Sequence, residues 1–163
     1  MPVVSNTSPL SNLTIIGRLD LVREQFGSVF IPPAVRVELS RNPHTVGRTA
    51  LESAIKEGWL RVATLNGAVP TELNLNLDIG EAEALALAVE TKASLVLLDE
   101  SAARLKANQL GISVTGALGV LRKARRASRI PSLKTEIERL RVEARFFIHP
   151  ALEKALLISV GET

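Results

Sequence analysis

The chain has 163 residues, no cysteine and two histidines; 46% of its residues are hydrophobic and only 3% are aromatic. A chain of this length suits one domain and can bury roughly 70% of the surface that its unfolded form would expose. The absence of cysteine excludes a disulfide scaffold, a thiol nucleophile and a thiolate metal site, and two histidines are too few for a histidine-built zinc site. Any bound metal would need oxygen ligands, which favours magnesium or manganese.

The charge balance is mildly basic, with 20 Lys and Arg against 17 Asp and Glu. Such an excess is compatible with nucleic acid as a partner but does not require it. The first residues run directly into a predicted strand with no basic segment before a long apolar one, so we expect no signal peptide. No apolar run approaches the ~18 residues of a membrane span. The sequence therefore predicts a soluble, cytoplasmic protein.

In the first half of the chain, short apolar runs alternate with segments of helical periodicity. Leucine and isoleucine recur at helical spacing from residue 10, and Gly17 breaks that run before a second helix. Prolines 32 and 33 end the second strand and favour the start of a helix. We expect strands at 3–4, 28–31 and 59–65, helices at 10–16, 19–26, 34–40 and 50–57, and loops at 41–50 and 66–76.

The second half continues this alternation and then becomes helical. We expect helices at 78–88, 101–109, 116–128, 133–144 and 150–160, and strands at 94–98 and 112–114. The pattern predicts a three-layer α/β/α domain with a central, mainly parallel sheet flanked by helices. With no repeat, linker or composition break, we expect a single domain over 1–163 with a helical C-terminal extension at about 131–163. Apolar residues near 151–160 could pack on this chain's core or on a second copy.

Two predicted strands end in polar residues that could belong to a site. The first strand leads to Asn6, and the strand at 94–98 leads to Asp99. In a parallel sheet the turns after the strands open on one edge, and sites in such folds gather there. A second interpretation stays open for Asp99, because it also stands where the N-cap of the following helix would lie.

Glu81 and Glu83 stand near the start of the helix at 78–88. Residues two apart on a helix point about 200° apart, so these two cannot share one face. Glu81 is expected to face inward and Glu83 more outward. Asp78 and Glu81 also have the spacing of a capping box, so Glu81 is either a buried site acid or a cap. Glu38, one turn into its own helix, is by itself an ordinary surface acid.

Five stretches, in this order, resemble the PIN-domain family, in particular small prokaryotic PIN-like proteins with a Ser-Asn-Thr-Ser-Pro-Leu opening. The resemblance covers about residues 3–147. The stretches are 4–10 (VSNTSPL), 31–38 (IPPAVRVE), 77–83 (LDIGEAE), 96–100 (VLLDE) and 114–121 (VTGALGVL).

The resemblance implies a metal-dependent ribonuclease in which acidic residues hold Mg²⁺ or Mn²⁺. The family's metal-binding and catalytic positions fall on Asn6, Glu38, Glu81 and Asp99. Further candidates to line the site are Thr7, Ser8, Glu83 and Thr115. Many relatives are VapC-like toxins, neutralised by an antitoxin and commonly homodimeric. The implied partners are therefore RNA, an antitoxin protein and a second copy of the chain.

Asn6 departs from the family pattern, in which this position is usually Asp. An amide oxygen can ligate a hard cation but brings no charge, so we expect weaker metal binding. A non-catalytic PIN-like module that binds RNA or an antitoxin is therefore the alternative to a nuclease. A phosphoacceptor signalling domain is disfavoured, because no strand ends in a closely spaced acidic pair followed later by a strand-ending lysine.

An acidic pocket repels a phosphate backbone, so basic residues must flank it. The nucleic-acid-binding candidates are Arg36, Arg41, Arg48, Arg104 and Lys106. A denser basic run at 122–129 either complements the dipole of its helix or contacts nucleic acid or an acidic antitoxin segment. His149 is expected to be structural, and His44 lies in a predicted loop.

Overall fold

The computed structural model describes residues 1–163 and contains five strands and ten helices. The strands are β1 (Val3–Ser5), β2 (Val29–Ile31), β3 (Leu60–Val62), β4 (Leu95–Leu97) and β5 (Val114–Thr115). The helices are α1 (Thr7–Ile15), α2 (Asp20–Phe26), α3 (Pro33–Ser40), α4 (Thr45–Lys56), α5 (Thr71–Asn74), α6 (Ile79–Thr91), α7 (Ser101–Gln109), α8 (Ala117–Arg126), α9 (Leu133–Glu143) and α10 (Pro150–Ser159).

The five strands form one sheet in the order β3-β2-β1-β4-β5, and every neighbouring pair is parallel. The predicted α/β fold with a parallel sheet flanked by helices is therefore confirmed. The chain moves from β1 outward to β2 and β3, and then returns to place β4 on the other side of β1. The strand order thus reverses between β1 and β4, and ligands of such sheets bind at the carboxyl ends of the strands flanking this point.

Alternation of side chains along the strands produces two aliphatic cores, one on each face of the sheet. Val3 and Leu97 face the larger core, which α1, α2, α3, α4, α8, α9 and α10 cover. Val4 and Val96 face the smaller core, which α5, α6 and α7 cover. Five of the buried residues of α6 in this smaller core are alanine or leucine in the run 84–88, so the helix can lie close to the sheet. The three layers follow from this alternation.

Several predicted boundaries are wrong, for local reasons. Helix α4 begins at Thr45 rather than near residue 50, because His44 Nδ1 accepts a hydrogen bond from the Gly47 N–H (2.9 Å) and caps the helix. The predicted loop at 66–76 contains the single turn α5, and the predicted strand at 59–65 is reduced to β3. Strand β5 lies later than predicted, because Val114 pairs with Val96.

The last two helices belong to the larger core. Leu133, Ile137 and Leu140 of α9 are fully buried in it, and Leu157 of α10 is also buried there. Leu152 remains half exposed. The apolar face of α10 therefore packs partly on this chain's own core. None of the helices combines the length and the apolar character that crossing a bilayer requires.

Candidate functional site

Asn6 follows β1 directly at the carboxyl edge of the sheet. It is the N-cap residue of α1 and is only 2% exposed, yet its side chain makes no capping hydrogen bond. Its Oδ1 is buried without a hydrogen-bond partner, and the hydroxyl of Thr7 beside it also lacks a well-formed hydrogen bond. Buried polar atoms are nearly always paired, so an unpaired acceptor here indicates a place where something else binds.

Glu38 and Asn6 meet over Gly80, the second residue of α6. A Cβ atom on Gly80 would lie 2.3 Å from Glu38 Oε1 and 3.2 Å from Asn6 Oδ1. The two oxygens therefore lie within a few ångströms of each other over the first turn of α6, and only glycine leaves room for them. We call this place the Asn6–Glu38 hollow. Burial raises the pKa of Glu38, the charges of Asp78 and Glu83 add to the increase, and the nearby Thr7 hydroxyl opposes it.

Glu81 faces inward, as predicted, and also closes the capping box of α6. Its Oε1 accepts from the Asp78 N–H (3.0 Å), and its own N–H donates to Asp78 Oδ1 (2.8 Å). Burial raises the pKa of Glu81, although the hydrogen bond from Asp78 opposes the increase. The charges of Asp78, Glu100 and Glu38 raise the pKa further, so Glu81 lies within the field of the neighbouring acids.

Asp99 does not cap the helix that follows it; Glu100 is the N-cap residue of α7. Asp99 Oδ1 instead accepts from the N–H of Ala117, the first residue of α8 (2.9 Å), and Oδ2 accepts from Asn12 Nδ2 (2.9 Å). Its pKa is raised by burial, despite these two hydrogen bonds and the nearby Arg104. Both oxygens of this half-buried carboxylate are therefore held in place.

The other candidates to line the site lie in different places: Glu83 contacts α3, and Ser8 and Thr115 line cavities beside Asp99. Glu83 is more exposed than Glu81, as predicted, and its Oε1 accepts from the Ala34 N–H at the start of α3 (3.1 Å). Ser8 lines a cavity of about 420 Å³ beside Asp99. Thr115 lines a second cavity of about 460 Å³, also beside Asp99, and its hydroxyl fills the place where Gly119 would carry a Cβ atom.

Of the predicted basic candidates, Arg104 alone is placed beside a predicted acid. Its Nη1 donates to Leu98 O (2.9 Å) and lies near Asp99 at Gly116. The others are bound elsewhere or lie further along their elements. Arg36 pairs with Glu52, Arg48 donates to Asn42 O, Arg41 is the exposed C-cap of α3, and Lys106 lies in the last turn of α7.

Three cations of the dense basic run at 122–129 have partners within the chain. Arg125 pairs with Glu162, Arg129 pairs with Glu24, and Lys123 lies 5.6 Å from the centre of the Phe26 ring. The structural interpretation is thus favoured for these three, whereas Arg122 uses only its Nε, for Ser159 Oγ, and Arg126 is exposed without an ion pair. His149 caps α10 by accepting from the Ala151 N–H, which is also a structural role.

Two residues of the site were missed from the sequence. Asn12 holds Asp99, and Gly80 makes room for Glu38 and Asn6. A polar amide four residues after Ser8 on the same face of α1 could have indicated Asn12. A glycine inside the first turn of a helix, where alanine would be more stable, could have indicated Gly80.

The site thus contains carboxylates at the switch point of a parallel sheet. Burial raises the pKa of Glu38, Glu81 and Asp99, and such clusters of perturbed acids are typical of functional sites. As these side chains stand, no group of three acidic or histidine side chains is close enough to hold an ion between them. At the Asn6–Glu38 end, however, the unpaired Asn6 Oδ1 lies beside Glu38 Oε1, and these residues fit one hard cation with oxygen ligands.

Fold and site together define an α/β domain whose acidic site lies at the carboxyl edge of its sheet. A family model described as a PIN domain matches residues 2–162. The chain therefore belongs to the PIN-domain family, whose members are typically nucleases that bind divalent metals. No curated protein matches the sequence significantly.

Proposed function

We propose that the chain is a ribonuclease that depends on one Mg²⁺ or Mn²⁺ ion bound in the Asn6–Glu38 hollow. The observation that carries this proposal is that Asn6 Oδ1 and Glu38 Oε1 face each other over Gly80, and Asn6 Oδ1 has no hydrogen-bond donor. Asn6 Oδ1 is a buried acceptor without a donor, and the partly buried carboxylate of Glu38 lies beside it. Two such acceptors repel each other, and a bound cation would remove both the repulsion and the cost of burying the Asn6 oxygen.

Each residue of the site has a separate part in this proposal. Glu38 and Asn6 would hold the ion, with Glu81 supplying further negative charge from its capping box. Bound there, the ion would lower the pKa of a water and offset the charge that develops on a phosphate. Asn12 and the Ala117 N–H hold both oxygens of Asp99 in place, and in this proposal Asp99 would face the bound phosphate. Arg104 beside Asp99 would attract the phosphate that the acids repel.

A manganese-dependent cleavage assay on unstructured and structured RNA tests this function. We expect Glu38→Gln and Asp99→Asn each to slow cleavage about 100-fold, the scale of removing one supporting group of a metal site. Glu57→Gln is the control, because Glu57 is exposed and stands before β3 at the opposite edge of the sheet. Cleavage that continues unchanged in both site variants would contradict the proposal.

A non-catalytic module is the second candidate, favoured by a specific observation. Both oxygens of Asp99 are engaged, and Glu81 is held in its capping box, so these acids would have to release partners to reach an ion. If the Asn6 side-chain amide were rotated so that its Oδ1 and Nδ2 exchanged places, Nδ2 would donate to Glu38 and close the hollow. Manganese binding by the wild type distinguishes the two: a measurable affinity that Asn6→Asp raises supports the metal site, and no binding by the wild type supports the non-catalytic module.

The role of toxin in a toxin–antitoxin pair is a finer part of the proposal. It is supported only by the resemblance to VapC-like proteins. Induced expression in a bacterial host, with and without Glu38→Gln, tests it: growth arrest by the wild type alone supports it, and normal growth opposes it. Sedimentation of the purified chain tests the proposed homodimer in the same preparation.

A further inference from the structure

The segment between α9 and α10 places an aromatic ring in water beside Asp99. The Phe146 N–H bonds to Leu140 O (3.0 Å), and Phe146 packs on the larger core. Ile148 is buried, whereas Phe147 between them is 82% exposed. In an extended segment successive side chains point to opposite sides, so anchoring Phe146 and Ile148 forces Phe147 outward. A polar residue at 147 would satisfy the same packing, so the fold itself does not require a ring there.

Phe147 lies where the two cavities beside Asp99 meet. The cavity of about 420 Å³ and the cavity of about 460 Å³ share four lining residues, which are Asp99, Ser101, Phe146 and Phe147. The ring therefore stands between two hollows that open on either side of a predicted catalytic acid. A chain crossing from one hollow to the other would pass both Asp99 and Phe147.

Each hollow also contains arginine. Exposed Arg145 lines the first, and Arg104 and Arg122 line the second. Arg122 uses its Nε for Ser159 Oγ, and Arg104 uses one Nη for Leu98 O. A guanidinium has five N–H donors, so both retain donors for a phosphate. Each hollow therefore offers guanidinium donors to a polyanion that spans both, beside Asp99 in the two hollows and Glu100 in the first.

We propose that Phe147 stacks on an unpaired base of single-stranded RNA, with the flanking phosphates bound by Arg145 on one side and by Arg104 and Arg122 on the other. This inference rests on RNA as the substrate in the proposed function and adds the residue that would recognise an unpaired base. A base in a duplex is already stacked on both faces, whereas an unpaired base offers a face to an aromatic side chain. Arginine beside the ring supplies the electrostatic part of the binding.

Fluorescence anisotropy of a short labelled RNA, free or annealed to its complement, tests this without cleavage when EDTA is present. Phe147→Ala should weaken single-strand binding about 5- to 150-fold, the range for losing one base–aromatic stack. Duplex binding should change little. Phe147→Trp should restore single-strand binding, and Phe147→Leu, which keeps apolar area but no ring, should not. Val142→Ala on α9 is the control, because Val142 is 67% exposed and lines a different cavity.

The outcomes separate this inference from the proposed nuclease. Equal binding by wild type and Phe147→Ala, or no single-strand binding by the wild type, overturns the role of Phe147. A change in sedimentation of Phe147→Ala with unchanged RNA binding also overturns it, and points to a second copy as the occupant. If binding depends on Phe147 but manganese produces no cleavage, the stacking site stands and the nuclease fails. If Glu38→Gln stops cleavage while Phe147→Ala binds RNA normally, the nuclease stands and the stacking site fails.

Discussion

Two carboxylates of this chain face the first turn of a helix, but they differ in their hydrogen-bond donors and in the direction in which their pKa is shifted. Glu162, near the C-terminus, faces α9 and accepts four hydrogen bonds, from Leu133 N, Lys134 N, Ser132 Oγ and Arg125 Nε, at 2.7 to 3.1 Å. Burial alone would raise its pKa, but these donors lower it. Glu38 faces α6 beside another acceptor, Asn6, and burial raises its pKa.

The comparison shows that this fold can supply a full set of hydrogen-bond donors to a carboxylate that has a structural role. Glu162 ties the last residues to α8 and α9, and α9 accepts the Phe146 N–H of the segment that carries Phe147. At the carboxyl edge of the sheet, Glu38 accepts no backbone N–H, and only the Thr7 hydroxyl favours its ionised form. Such incomplete sites reduce stability and are retained where a ligand completes them.

Gly80→Ala disturbs the Asn6–Glu38 hollow and should have the largest effect, which is on manganese-dependent cleavage. The new Cβ atom would collide with Glu38 Oε1, the end of a flexible side chain, so the carboxylate moves and the fold remains. We expect manganese-dependent cleavage to fall about 100-fold, while the melting temperature stays level or rises because alanine favours the helix. Gly67→Ala, whose Cβ atom would meet only Glu90 Oε1 at 3.9 Å, is the control and should change neither. A stable and fully active Gly80→Ala would contradict this account of the hollow.

Glu162→Ala removes the other carboxylate of the comparison, together with the four hydrogen bonds that it accepts. Losing charge-assisted hydrogen bonds should lower the melting temperature by about 5–10 °C, on the scale of 2–3 kcal/mol for a domain of this size. Because folding lowers the pKa of Glu162, its stabilisation is present above the unfolded value and is lost as pH falls through the folded one. The difference between wild type and variant should therefore shrink in acid.

Glu143→Ala is the matched control, since Glu143 forms an exposed i,i+4 pair with Arg139. Such pairs contribute about 0.3–0.5 kcal/mol, so its melting temperature should hardly change. Equal decreases in melting temperature in the two variants would mean that the four hydrogen bonds of Glu162 do not stabilise the fold.

Glu38→Gln should produce the smallest change in melting temperature, and this change should be an increase rather than a decrease. Folding raises the pKa of Glu38, so the ionised carboxylate opposes folding above the unfolded value. In EDTA at neutral pH we expect the variant to melt slightly above the wild type, and the difference to vanish in acid, where both states of the wild type are protonated. Differential scanning calorimetry across pH measures this, and a variant less stable than the wild type at neutral pH would show that Glu38 is a satisfied structural residue.

Much of the fold could be predicted from the sequence because hydrophobic periodicity reports burial. The apolar runs that became β1, β2 and β4, and the helical spacing of α1, α2 and α7, depend only on which residues face a core. The strand ends then placed Asn6 and Asp99 at one edge of the sheet, since parallel strands share a direction.

The hydrogen-bond partners of the site could not be predicted in the same way. Asp99 binds Ala117 N and Asn12, eighteen and eighty-seven residues away, and Glu83 binds Ala34 N. These pairings depend on the relative positions of separate elements, which periodicity does not report. His44 was missed as the cap of α4 for a related reason, because histidine is not among the preferred N-cap residues.

Calorimetric titration of Mn²⁺ into the metal-free chain tests the central claim most directly. The account predicts binding of one ion by the wild type, at least tenfold weaker binding by Glu38→Gln and tighter binding by Asn6→Asp, the scale being about that of perturbing a metal site. No binding by the wild type, or equal binding by the wild type and Glu38→Gln, would contradict a metal site in the Asn6–Glu38 hollow.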